Sequence, residues 1–305
     1  MKFKETNLSD TLAIIQFTHP GQEHNKNNGE WNYGPHKRKF MRCKGNYIKN
    51  GQEQNGDLLF WGEWEAPSTV NEFIGNAFPL PKWLHSPYIP NDNEIPSPNG
   101  KGCGNNCKSG SPQNTDPYVF GNKFKYCICK QSMFDMANLD IGSLILFGST
   151  KPIGRDKEIQ QRDSYFMLDT VFVVAGFVQG NTVHESPLLD NTYKKITLNM
   201  LPDYPDWARV YFGATYNETV NGMYSFSPVK EYKNGESFPR IKLKDLEYIT
   251  NNLNAAPKIT KTIEKNNVSR KINKNDIYNF WDKIRIITNE AGCYEGVYFD
   301  EPPMK

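Results

Sequence analysis

Residues 165–178 read Tyr-Phe-Met-Leu-Asp-Thr-Val-Phe-Val-Val-Ala-Gly-Phe-Val, an apolar run in which only Asp169 carries a charge. β-branched and aromatic residues in an unbroken run of this kind suit a strand buried on both faces. Asp169 is the anomaly, because a carboxylate in an apolar strand is costly unless bonded or paired. It is expected to face an arginine or histidine in a site, or to cap a neighbouring loop. Just upstream, Gly142-Ser-Leu-Ile-Leu-Phe-Gly148 is a second buried strand. The charged loop 151–162 lies between the two.

The same reading extends outward to both ends. Residues 11–18 (Thr-Leu-Ala-Ile-Ile-Gln-Phe-Thr) form a buried strand that stops at the turn His19-Pro20-Gly21. Residues 37–48 and 57–65 are further strands. In the second, alternation places Glu63 and Glu65 on one face and Trp64 on the other. Residues 206–216 and 222–229 form a hairpin candidate around Asn221-Gly222. Helices are expected at 132–139, at 243–253 and at 275–291. The last has Ile277, Phe280, Trp281, Ile284 and Ile287 on one apolar stripe, and Gly292 at its C′ position. Residues 296–299 close the chain as a strand. No long helix separates successive strands before the end, so parallel βαβ order is absent. The expected fold is α+β, with a central mixed or barrel-like β-sheet, a few short helices and one C-terminal amphipathic helix. The whole of 1–305 is read as a single domain carrying a long Pro/Gly/Asn-rich insert at about 66–122.

Composition narrows the function. The chain has 305 residues with 36 basic and 34 acidic side chains, a net charge of +2, so no global field advertises a polyanionic partner. Aromatics at 13% support a packed core. No apolar block approaches the ~20 residues of a spanning helix, and no secretory signal opens the chain. A cytoplasmic protein with no membrane partner is expected, its oligomeric state left open. The P-loop, dinucleotide-fingerprint, zincin, nucleophile-elbow and zinc-deaminase patterns are all missing.

Three groups of residues could carry chemistry. The first is His19, His24, Trp31, Asn32, His36, Arg38 and Lys39. A histidine directly after a strand suits a general base, and the basic run suits phosphate. A solvated loop explains the same run. The second is Phe60-Trp-Gly-Glu-Trp-Glu65, where Trp61 and Trp64 could wall a base and Glu63 and Glu65 accept its hydrogen bonds. Ordinary aromatic core is the alternative. The third is Cys103-x3-Cys107 followed by Cys127-x-Cys129. Thiolate pairs on turns are what a structural zinc requires, and a metal would hold together an insert that packs poorly alone. Four reduced, partly buried thiols is the other reading. Gln113-Asn-Thr-Asp-Pro117 is a turn with Asx chemistry, or a polar cradle for a ligand.

The strand Gly142–Gly148, followed by the Val-rich 165–178 strand, resembles the strand pair of PUA-like domains of the ASCH, EVE and YTH group. More loosely, it is similar to the nucleotide-modification-associated domains of bacterial and phage DNA-modification systems. In the PUA-like group a small barrel holds a modified base in an aromatic pocket, and the resemblance implies that Trp61 and Trp64 supply that wall. Ser143 stands where those domains carry an acid.

These observations predict a protein that binds a nucleotide or nucleic acid, base against Trp61 or Trp64 and phosphate against His36, Arg38 or Lys39. In a catalytic version His19 or His24 is the base and Glu63 or Glu65 the acid. The competing expectations are an interaction module with a zinc-held insert, and a metal-dependent hydrolase built on His19, His24 and His36.

Overall fold

The computed structural model describes residues 12–18, 22–24, 29–32, 37–75, 80–95, 114–127, 129, 131, 135–151, 165–201, 204–243 and 274–305. Its strands are β1 (Ile14–Thr18), β2 (Gln22–Glu23), β3 (Lys37–Lys49), β4 (Gln52–Gly62), β5 (Ser68–Phe73), β6 (Trp83–Pro87), β7 (Lys125–Tyr126), β8 (Leu144–Lys151), β9 (Tyr165–Gln179), β10 (Arg209–Gly213), β11 (Ser227–Glu231), β12 (Ile241–Leu243) and β13 (Tyr294–Phe299). Two α-helices join them, a short α1 (Asn191–Ile196) and α2 (Lys274–Glu290). The protein is mixed α+β, with sheets dominating.

One sheet runs β1-β8-β9-β10-β7, with β12 on β9. The other runs β13-β11-β4-β3-β6-β5, with β2 on β3 and a further pairing of β13 with β3. That extra pairing closes β3, β4, β11 and β13 into a four-strand ring. Closure requires β13 to approach β3 tightly at Gly45. A Cβ there would lie 2.2 Å from the Tyr298 carbonyl oxygen, so no side chain fits. The β3–β4 hairpin turns through Asn50-Gly51, both at positive φ (53° and 74°), as a two-residue turn of this hand requires. This turn extends both strands into the region between 49 and 56 that sequence alone left unassigned.

Both sheets feed two cores. On β8, Leu144 and Leu146 enter one core while Ile145 and Phe147 enter the other. The first core holds Phe17, Phe60, Trp64, Phe120, Tyr126, Phe172 and Phe299. The second holds Ile14, Phe40, Trp61, Leu168, Val171 and Phe226, and it takes the α2 stripe Ile277, Phe280, Trp281 and Ile284. With each strand face covered, the near-continuous apolar character of 165–178 follows.

Several expectations shift in detail. β10 pairs with β9 and β7, while β11 pairs with β13 and β4, so the two arms of the expected hairpin enter different sheets. Within 132–139 the described turn is a 3-10 helix, Asp135–Asn138. Leu243 ends β12, and the rest of the expected 243–253 helix lies outside the described residues. α2 runs Lys274–Glu290 against the expected 275–291, and Gly292 takes the expected left-handed φ of 72°.

Candidate functional site

A charged cluster lies where the two sheets meet. It starts from neighbours on β3. Successive side chains of a strand point to opposite faces, so Arg38 follows Phe40 toward the second core and Lys39 follows Met41 toward the first. Both are buried, at 1% and 0% exposure. The Arg38 guanidinium donates to Glu63 through Nη1 and to the Gly148 carbonyl through Nη2 at 3.3 Å. Its Nε lies 2.9 Å from Asp169 Oδ2. Arg240 completes the group, gripping Asp169 with Nε and Nη2 at 2.6 Å each. Burial alone would weaken the Arg38 cation, but Glu63 and Asp169 hold its pKa above the usual arginine value.

Asp169 reaches the cluster because β9 bulges. Phe147 stands opposite Thr170 and Gly148 opposite Leu168, which leaves Asp169 as the extra residue. A bulge re-aims one side chain out of the alternation. Gly148 is the residue that permits the close approach: a Cβ there would lie 2.0 Å from the Met167 carbonyl oxygen. The anomalous acid in the apolar strand is therefore ion-paired, to two arginines.

Lys39 builds the other half. Its ammonium donates to the Ala66 carbonyl at 2.8 Å, with Glu65 as its attracting charge. Burial pulls its pKa down to about 7 against that attraction. Thr115 Oγ1 accepts from the Glu65 amide at 3.1 Å. β4 ends at Gly62; beyond it Glu63 bonds Arg38, and Glu65 acts on both Lys39 and Arg38. The Asn32 amide donates to the Glu65 carbonyl at 2.7 Å and its side chain to the Lys37 carbonyl at 3.4 Å. Asp116 lies beside Glu63. Burial pushes its pKa up to about 7, although the Cys127 and Cys129 amides donate to it at 2.7 and 3.2 Å.

Around Lys39 lie two histidines and a serine. Ser68 on β5 meets His85 Nδ1 at 2.9 Å, and the His24 ring stands edge-on to His85 at 5.6 Å. His24 is held by its own amide, which donates to the Arg38 carbonyl at 2.8 Å. Burial first, then Lys39 and His24, depress the His85 pKa to about 3, so its ring is neutral. Three carboxylates, Glu63, Glu65 and Asp169, thus meet three bases, Arg38, Lys39 and Arg240. The arrangement is shut from water, and the Asp116 acid beside Glu63 and the Lys39 amine each titrate near neutrality.

The structure therefore brings together His24, Asn32, Arg38, Lys39, Glu63, Glu65 and Asp169. His19 and His36 lie outside the described residues. Trp61 and Trp64 are packed: Trp64 is wholly buried against Phe120 and Tyr118 and donates its indole N–H to Pro67, and Trp61 donates to Phe238 with Arg240 5.7 Å from its ring centre. Trp31 is a buried member of the first core and donates to the Glu94 carbonyl at 3.4 Å. Cys103 and Cys107 lie outside the described residues. Cys127 and Cys129 are buried beside Asp116 and Asn114, with Cys127 Sγ 3.4 Å from Asp116 Oδ2. Among the described residues no group of three or more His, Cys, Asp and Glu is arranged to hold a metal ion.

Arg240, His85 and Ser68 are the members that sequence reasoning missed, whereas Thr115 and Asp116 belong to the Gln113–Pro117 turn also read as a polar cradle. Phe238-Pro-Arg-Ile carries no local pattern that distinguishes Arg240 from a surface arginine. A separate open groove of about 310 Å³, lined in part by Asn46, Lys123, Tyr216 and Tyr298, shares no residue with the cluster. Its polar groups already pair with one another, Asn46 with Glu53 at 2.7 Å and Lys123 with Glu218 at 2.5 Å. Among the described residues, no helix is long and apolar enough to cross a membrane. No family model, no curated protein and no solved structure matches the chain.

Proposed function

We propose that this chain is a nucleotide- or nucleic-acid-associated protein of the cytoplasm whose ligand site is the buried Arg38–Glu63–Asp169 and Lys39–Glu65 cluster. In this reading the carboxylates accept from the base, Asn32 and the cations fix its orientation, and Lys39 and Asp116 are the groups that can exchange a proton near neutrality. What supports the reading is one observation. Residues from three separate stretches, 32–39, 63–65 and 169, converge as buried charges that a core built only for stability would replace with apolar side chains at little or no cost. Buried titratable groups shifted toward neutrality are also characteristic of functional sites.

The test is a thermal-melt screen of the purified chain against nucleotides, nucleosides, modified nucleosides and short DNA and RNA. A ligand present at about 100 times its dissociation constant adds about 2.7 kcal/mol of stability, which a melt resolves easily. The expected result is a rise with one nucleotide class, lost in Glu65→Gln while that variant still melts cooperatively. No rise across the panel overturns the proposal.

A further inference from the structure

Gln16 occupies the middle of β1 and is 3% exposed. Neither end of its carboxamide has a hydrogen-bond partner among the described residues. A buried donor and acceptor left in that state are costly, and an apolar side chain of the same shape would remove the cost. The strand around it follows that logic: Leu12 and Ile14, on the same face, enter the second core. Gln16 is the exception on that face.

Its position gives the exception a meaning. Gln16 stands opposite Leu146 in the β1–β8 register, and Thr18 stands opposite Gly148. Gly148 is where Arg38 touches β8, and it faces the bulge that turns out Asp169. Gln16 is therefore two residues along β1, about 7 Å, from the position opposite Gly148, and its side chain leaves the sheet on the same side as that of Leu146.

We infer that Gln16 reads the edge of an amino-bearing nucleobase, adenine or cytosine, at the site proposed above; the inference rests on that proposal. The chemistry is complementary. A carboxamide offers an acceptor and a donor side by side, which match an exocyclic amine and the neighbouring ring nitrogen. Gln16 Oε1 takes one hydrogen of the amine and Nε2 donates to the ring. The second amine hydrogen is left for a carboxylate of the cluster. Uracil gives its one N–H to Oε1 once the carboxamide turns over and leaves the carboxylate unmatched, and purine riboside, with no N–H, leaves both acceptors unmatched.

The experiment compares wild type with Gln16→Met and Gln16→Leu, using adenosine, cytidine, uridine and purine riboside. Adenosine or cytidine is expected to raise the wild-type melting temperature, with uridine and purine riboside giving little. Each variant, without ligand, is expected to melt no lower than wild type, while its affinity for the amino-bearing nucleoside falls about tenfold or more. Undiminished affinity in a folded variant overturns the role of Gln16, and so does a variant that melts several degrees lower without ligand, because the amide is then satisfied within the chain. Uridine binding as well as cytidine also overturns it while leaving the proposed function standing. A wild-type protein that responds to no nucleoside, nucleotide or nucleic acid overturns both.

Discussion

A carboxylate shut away from water keeps its proton well above its ordinary range. Asp116 has a folded pKa near 7 against 3.8 for the free side chain, with burial as the main cause. The folded chain binds this proton more tightly than the unfolded chain, so the stability it contributes is complete below about pH 4 and is lost as pH rises through about 7. Lys39 works in the opposite sense. Its folded value is lowered by burial to about 7 from 10.5, so its contribution is absent below about pH 7 and recovers toward pH 10.5. Urea unfolding of wild type and Asp116→Asn at steps from about pH 4 to 8 checks the first: the difference between the two proteins should change across that window and level off above it. The same comparison with Lys39→Met, extended to about pH 10.5, should be flat below about pH 7 and change between 7 and 10.5. Arg38 gives a third outcome. Arg38→Met strands Glu63 inside the protein, while Asp169 keeps Arg240, and should cost about 3–5 kcal/mol, with Glu63→Leu in the same chain recovering part of the loss. A loss under 1 kcal/mol in the single variant would show that water reaches these groups. Individual residue types made Asn32, Arg38, Lys39, Glu63, Glu65 and Asp169 visible as candidates, because charge beside apolar sequence demands a partner. The partner itself was not visible. Arg240 lies 71 positions from Asp169 in sequence, and only the pairing of β12 with β9 brings them together.

Elements in this fold meet through positions where a side chain would not fit. Gly45 sits where β13 crosses β3, and Gly148 sits where β9 bulges to turn out Asp169. Gly45→Ala should open the ring formed by β3, β4, β11 and β13. Hydrogen exchange then checks the effect locally: the Asp300 amide, which donates to the Lys44 carbonyl at 2.8 Å, should lose protection before the amides of β8 and β9 do. Equal loss everywhere would mean that β13 does not unzip separately. The strands themselves were readable from apolar runs, and α2 from its stripe and its terminal glycine. Their partners were not, because strand composition reports burial and not pairing. The stretch 206–229 illustrates the limit. Turn chemistry at Asn221-Gly222 is real, with φ of 50° and 76°, but the strands on either side serve different sheets. The stretch 57–65 illustrates another. Its alternation was readable, with Trp64 entering the first core beside Phe60 and both glutamates acting on Arg38, but the strand ends at Gly62 and nothing local shows which cations the two acids meet.

The whole molecule is tied together across its two sheets in three independent ways. Val171 of β9 exchanges both backbone hydrogen bonds with Phe226, at 2.8 and 2.9 Å. Arg38 of one sheet pairs with Asp169 of the other. Residues of both sheets share each apolar core. Neither sheet can expose its faces without opening the cores of the other, so the chain should unfold as one cooperative unit. The probes are already placed for the measurement. Trp61 and Trp64 report the sheet that contains β4, and Trp281 reports the docking of α2, where its indole donates to the Tyr224 carbonyl at 2.9 Å. Melts followed by tryptophan emission and by far-ultraviolet dichroism should coincide in the wild type. Asp169→Asn weakens one of the three links and leaves the cores intact, so it should lower the shared midpoint without splitting the curves. Two separated transitions in the wild type would show instead that the sheets fold as separate units. The charged cluster would then lie at an interface between them, a place where ligands commonly bind, and the site would gain a hinge that the cooperative molecule lacks.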